Sequence, residues 1–239
     1  YIYTTLNETQ KAETYTLLQA SAQVGSGGAL QAIGQVYTDL TQTQKIEAYT
    51  LLQDHAKSDS GGAFIALGYA YTGLLKKQKK ETYILLRDKA KEGDASALEA
   101  LALILASLTK KQKTETYMLL RDAAKEGTED ALEALGQVYF LLSLTQKTEI
   151  YIYLRNQANE GSLPAWQALG VIFKHLPDNL VSTSAVLAEV KEGLAHDDDT
   201  SAFDYSVNRE WVLGTGELIA TSYKLKDAEP SGNQAGEVV

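Results

Sequence analysis

The 239-residue chain has no cysteine, one methionine, three prolines and three histidines. The missing thiols exclude disulfides, thiolate metal sites, iron–sulfur clusters and a cysteine nucleophile. They also fit a reducing compartment, so a cytoplasmic location is favoured and a secreted role is kept as an alternative. His55, His175 and His196 are far apart, and no HExxH, glycine-rich phosphate loop or GxSxG elbow occurs. No apolar run approaches the roughly 20 residues that cross a bilayer, and there is no signal-peptide pattern. Positive charge is also scarce. Lys and Arg number 22 against 31 Asp and Glu, a net charge of −9. Residues 1–175 are almost balanced, with 18 basic and 19 acidic groups, while 176–239 carry 4 and 12. Neither part offers the basic stripe needed to grip phosphate backbones, so nucleic acid is not an expected partner. The acidic end would also be repelled by an anionic membrane surface. Apolar residues make up 44 %, enough for a packed core.

Against these absences stands a period of 34. Tyr15, Tyr49, Tyr83, Tyr117 and Tyr151 recur at that spacing without a gap. Gln10, Gln44, Gln78, Gln112 and Gln146 do the same, each followed by Lys: Lys11, Lys45, Lys79, Lys113 and Lys147. A glutamate column (Glu13 to Glu149), a leucine column (Leu18 to Leu154) and three alanine columns beginning at Ala22, Ala29 and Ala32 complete eight matched positions. Self-similarity at this period is the mark of stacked helical repeats.

Each row predicts two helices. Asn7, Thr41, Thr109 and Ser143 precede the recurrent Gln by three residues, a capping-box spacing for a long first helix. Leu75 breaks that pattern in the third row, so this helix start is expected to be the weakest. Tyr15, Leu18 and Ala22 share one face of the helix. Gly25, Gly93, Gly127 and Gly161 follow as left-handed C-terminal caps, with Asp59 in that place in the second row. A shorter helix comes next, rich in Ala and Leu with a Gly that permits close approach of a neighbour. One row cannot bury its own apolar face, so each needs the next. Tyr3 and Leu6 lie 34 residues before Tyr37 and Leu40, so residues 1–5 read as the end of a truncated upstream repeat. The expected organisation is therefore five repeats over 6–175, a C-terminal cap over 176–225 and a loose tail over 226–239. In the cap, a helix is expected over Ala185–Leu194. The segment from Phe203 to Leu225 could be helical or a hairpin around Gly214-Thr215-Gly216, with helix favoured.

The fourth row reads Ala123-Ala124-x-x-Gly127-x-x-x-Ala131-x-x-x-Leu135-Gly136-x-x-Tyr139, and the fifth adds Trp166-x-x-Leu169-Gly170-x-x-Phe173. Over residues 1–175 the chain resembles the Sel1-like branch of the tetratricopeptide (TPR) superfamily. It departs from Sel1-like repeats in its short inter-repeat loop and in Ala102 and Leu105 of the third row. The resemblance implies an all-α, right-handed α-solenoid of five 34-residue helix–turn–helix repeats plus a capping segment. It also implies a scaffold or adaptor that binds a peptide or a protein on a concave face lined by the shorter helices. Alternatives are a docking or regulatory arm of a larger enzyme, or of a secreted bacterial effector.

Several residues have both a chemical and a structural reading. The recurrent tyrosines could form a ligand ladder, but their spacing matches the buried face, and they read as inter-repeat core. The Lys11/Glu13 pair and its equivalents read as a solvated first turn rather than a binding stripe. His196-Asp197-Asp198-Asp199 lacks the alternating geometry of an EF-hand loop and reads as an acidic surface loop. Glu129 and Asp130 have no nucleophile or pocket beside them and read as surface charge, so no enzymatic activity, cofactor or metal is expected.

In TPR-like geometry the exposed side of the short helix falls on positions that differ between rows. One column holds Gln31, Ile65, Glu99, Glu133 and Gln167, and a second holds Gln35, Tyr69, Leu103, Gln137 and Val171. A third holds Thr38, Thr72, Ala106, Phe140 and Lys174. The expected binding residues are Gln31, Gln35, Ile65, Tyr69, Glu99, Leu103, Glu133, Gln137 and Phe140, a mixed apolar and polar groove for a protein or peptide.

Overall fold

A computed structural model describes residues 2–174. The C-terminal cap and tail expected beyond residue 175, including His196-Asp197-Asp198-Asp199, lie outside the described residues. Those residues are all-helical and contain no strand. After a single turn, α1 (Ile2–Thr5), long and short helices alternate. The long ones are α2 (Glu8–Gln23), α4 (Gln42–Lys57), α6 (Lys76–Lys91), α8 (Lys110–Lys125) and α10 (Leu144–Asn159). The short ones are α3 (Gly27–Val36), α5 (Gly61–Ala70), α7 (Ala95–Ile104), α9 (Glu129–Val138) and α11 (Leu163–Lys174).

The chain divides into two compact units, Tyr1–Leu141 and Leu142–Val239. Four helix pairs fall in the first, whereas the 34-residue period alone drew five rows as one run. In the second unit α10 packs on α11, burying Ile150, Tyr151 and Leu154 of one and Ala165, Trp166 and Ile172 of the other.

The ends of the helices follow local chemistry. Asn7, Thr41, Thr109 and Ser143 accept from the N–H of Gln10, Gln44, Gln112 and Gln146, and each glutamine side chain accepts the cap residue's own N–H. Leu75 has no acceptor to offer. Only half of the box survives there, the Leu75 N–H donating to Gln78 Oε1 at 2.9 Å, yet α6 keeps the same length. Each long helix of the first unit ends in a Schellman motif. In the first row Gly25 N–H donates to Ala22 O and Ser26 N–H to Ser21 O. Gly25, Gly93, Gly127 and Gly161 have φ near +90°. Asp59 adopts φ +57° in the second row, and its carboxylate meets Lys89 Nζ of the next row at 2.7 Å. Asp is among the side chains that tolerate this left-handed conformation.

In the first unit α3 packs on α5, α5 on α7 and α7 on α9 along much of their lengths, while neighbouring long helices touch far less. Small residues make this possible. A Cβ added at Gly34 would sit 2.4 Å from Ala66 O, and one at Gly62 would sit 2.6 Å from Gly27 Cα. At Gly68 the corresponding distances are 3.2 Å to Leu103 and 3.3 Å to the Ala100 backbone. The core between rows is completed by Leu30, Ile33, Phe64, Leu67, Leu98, Leu101 and Ile104, all fully buried.

The long helices are joined differently. Tyr15, Tyr49, Tyr83, Tyr117 and Tyr151 are all buried, as their spacing predicts. The Tyr15 hydroxyl donates to Gln44 O at 3.1 Å, and that of Tyr83 to Glu115 Oε2 at 2.9 Å, so each reaches the following row. Tyr49 receives Gln53 Nε2 at 2.6 Å and lies 3.4 Å from Gln78 O. The buried hydroxyl of Thr82 adjoins Tyr49, and that of Thr116 adjoins Tyr83. A 3₁₀ turn follows each short helix of this unit, at Tyr37–Asp39, Tyr71–Gly73, Leu105–Ser107 and Tyr139–Leu141.

Those turns correct one expectation. The lysines after the recurrent Gln are not simply solvated. Lys45 Nζ donates to Thr38 O at 2.8 Å, and Lys79 lies 5.7 Å above the Tyr71 ring. Both are half-buried against the turn just before their own helix. Nor is Glu115 a free first-turn charge, since Tyr83, Lys91 and Arg87 all approach it.

Candidate protein-binding face

The ten-residue helices α3, α5, α7 and α9 each turn Ala and Leu positions inward. Ala63, Ala66, Leu67 and Ala70 of α5 are fully buried, and so are Ala97, Leu98, Ala100 and Leu101 of α7. Residues four apart share a helix face, so Gln31/Gln35, Ile65/Tyr69, Glu99/Leu103 and Glu133/Gln137 each form a two-residue rung away from this core. Because α3, α5, α7 and α9 pack in sequence, the four rungs stand side by side.

Within the rungs, Gln35, Leu103 and Gln137 are exposed, while Gln31, Ile65, Tyr69, Glu99 and Glu133 are half-buried. Leu103 remains 37 % exposed while its Cδ1 reaches across towards Gly68 of α5, beside Tyr69. Glu99 and Glu133 occupy matching positions on the packed helices α7 and α9, and the Glu99 charge acts on Glu133. Burial pushes the Glu99 carboxyl up from its usual range, with Asp130 adding to the effect. Burial does the same to Glu133, followed by repulsion from Asp130, Glu99 and Glu129. Every charge acting on the pair is negative, and neither carboxylate forms an ion pair among the described residues.

Phe140 does not belong to this row. It sits in the 3₁₀ turn after α9, half-buried, its ring 5.4 Å from that of Tyr139 at an angle of 75°. Thr38, Thr72 and Ala106 occupy the same turns in earlier rows. A 3₁₀ turn advances three residues per turn rather than 3.6, so spacing counted along an α-helix loses its direction there. Glu129 and Asp130, read from the sequence as surface charge, are exposed in the first turn of α9. That Glu99 and Glu133 lie 34 residues apart, at matching positions of neighbouring short helices, was the available signal that they share one side of the repeats.

A concavity opens on the long-helix side, lined by Arg87 of α6 and Lys110, Lys111, Glu115 and Met118 of α8. Its half-buried carboxylate Glu115 is already engaged by Tyr83, Lys91 and Arg87. Among the described residues no group of three or more His, Asp and Glu is placed to hold a metal ion, and no helix is long and apolar enough to cross a membrane. No family model, curated protein or solved structure matches the chain.

Proposed function

We propose that the chain is a Sel1/TPR-like right-handed α-solenoid of five repeats that serves as a protein-interaction scaffold, binding a peptide or protein segment along the outer rungs of its short helices. The observation that carries this reading is the contrast within α5 and α7. Their inward alanines and leucines are completely buried. Their outward rungs nevertheless leave Leu103 exposed and Tyr69 half-buried, with Leu103 reaching Gly68, the residue before Tyr69. Large apolar side chains grouped with carboxylates and amides suit an interface with a few anchoring contacts. Closer packing among the short helices than among the long ones also supports curvature towards the short-helix side, which would make that face concave.

The test compares the chain with a Tyr69→Glu/Leu103→Glu variant in affinity capture followed by binding measurements on the purified partner. A partner that binds the parent and loses at least tenfold affinity for the variant supports the reading, provided circular dichroism finds helicity and melting unchanged. A partner that binds both equally would place its site on another face.

A further inference from the structure

The exposed rungs can be read as a chemical pattern. One line runs Ile65, Glu99, Glu133 across α5, α7 and α9, and a second, one helical turn away, runs Tyr69, Leu103, Gln137. Apolar side chains are therefore grouped on α5 and α7, and carboxylates on α7 and α9. Asp130 and Glu129 stand in the first turn of α9, where negative charge is favoured by the helix dipole. They add to the field at Glu133, and Asp130 adds to that at Glu99. No lysine or arginine of the described residues answers that field, although such partners abound on the long helices, as with Lys91 and Arg87 at Glu115.

Among the described residues the charge pattern lacks its complement. Resting on the proposed binding face, we infer that the natural occupant of this face is an extended basic–apolar segment of a partner protein. A Lys or Arg of that segment sits between Glu99 and Glu133, and an aliphatic or aromatic residue lies on Tyr69 and Leu103. Packed helix axes lie about 8–10 Å apart. Side chains two positions apart on an extended strand are separated by about 6.6 Å. One basic and one apolar residue separated by two others, about 10 Å apart, therefore reach from between α7 and α9 to between α5 and α7. The cation relieves the repulsion between the carboxylates, and exclusion of water from Tyr69 and Leu103 supplies the apolar part of the affinity.

The probe is a fluorescent eight-residue peptide of alternating arginine and leucine, titrated with the full chain by anisotropy. Companion peptides carry glutamine or glutamate in place of arginine. The expected result is measurable binding of the arginine peptide, with at least tenfold weaker binding of both companions. Glu99→Gln/Glu133→Gln should weaken the arginine peptide at least tenfold. Glu13→Gln/Glu47→Gln, which removes two exposed charges on the long helices α2 and α4, should change it less than twofold. Equal losses in the two double variants would reduce the effect to net charge and overturn the inference. Tyr69→Gln/Leu103→Gln separates the two readings. If it abolishes binding while Glu99→Gln/Glu133→Gln does not, the face stands and the cation subsite falls. If neither variant matters, both fall. Sedimentation equilibrium adds one more outcome: a dimer that Glu99→Gln/Glu133→Gln dissociates would make the occupant a second copy of this chain and overturn the partner assigned here. Circular dichroism checks that each variant keeps its helicity.

Discussion

Within residues 1–141 the short helices and the long helices solve the same stacking problem by opposite means. Short helices approach until backbone meets backbone, as at Gly34 against Ala66 and Gly62 against Gly27. They use shape and apolar burial, with Phe64, Leu67, Leu98 and Leu101 filling the space between rows. Long helices keep further apart and bridge the gap with directional contacts: Tyr15 to Gln44 O, Tyr83 to Glu115, Lys89 to Asp59. Contact by shape fixes spacing and tolerates no added atom. Contact by hydrogen bond fixes which row faces which, and it tolerates small displacements. The divergent residues of the proposed binding face sit on the helices that pack most closely.

The largest break in this comparison is expected from one methyl group. Gly34→Ala places a Cβ 2.4 Å from Ala66 O, a contact with backbone that cannot rotate away. Overpacking of this kind costs about 3 kcal/mol. Gly68→Ala, at the matching position one row on, meets its nearest atoms at 3.2–3.3 Å and gains about 1 kcal/mol of helix propensity. Its net effect should stay within about 1 kcal/mol, and Ala102 already occupies that column in the third row. Urea unfolding followed by circular dichroism measures both. Equal midpoints for the two variants would mean that the α3–α5 contact is not the rigid one.

The long helices should lose less to any single change. Tyr83→Phe removes a 2.9 Å bond to a carboxylate that still has Lys91 and Arg87, and about 1.5 kcal/mol is expected. The same unfolding measurement on Tyr83→Phe/Glu115→Gln should give less than the sum of the two single changes, because the side chains share one contact. Full additivity would separate them. At the third-row helix start, Leu75→Thr restores the missing half of the capping box and should raise stability by about 1 kcal/mol. Thr109→Ala, which removes the cap acceptor of the next row, should lower it by a similar amount. If Leu75→Thr gives nothing, the bond from Leu75 N–H to Gln78 already secures α6.

Which parts of this were legible beforehand depends on the range of the interaction. Capping boxes, glycine caps and the buried Tyr15-to-Tyr151 column are set by residues within one or two helical turns or by the exact 34-residue repeat, and both are visible in the letters. Asp59 in a glycine's place was visible as an exception, but not its compensation by Lys89, a contact between rows. Lys45 and Lys79 were misread because their partners lie in a 3₁₀ turn whose geometry an α-helical count does not anticipate. Phe140 lies in such a turn too, beyond the helical spacing that placed it with the rungs. The rungs from Gln31 to Gln137 follow from helical spacing, whereas the desolvation that sets Glu99 and Glu133 apart from ordinary surface carboxylates depends on how closely α7 and α9 pack.

The smallest expected effect contrasts one carboxylate site on each helix type. Glu99 and Glu133 bind protons more readily in the folded chain than in the unfolded one, through burial and then their acidic neighbours. Their contribution to stability is therefore fully present below the ordinary carboxylate range and is lost as pH rises through their raised folded values. At Glu115 burial also pushes upward, but the Tyr83 bond, Lys91 and Arg87 outweigh it, and the net shift is down. Its contribution is present above the ordinary range and is lost as pH falls through its lowered folded value. Glu99→Gln/Glu133→Gln should thus unfold at slightly higher urea than the parent at pH 7, and the gap should close towards about pH 4, where carboxylates are half protonated. Glu115→Gln should unfold at lower urea at pH 7, and its deficit should likewise shrink on acidification. Midpoints that move in the same direction for both variants would mean that the short-helix carboxylates are compensated after all, and the electrostatic difference between the two kinds of helix would disappear.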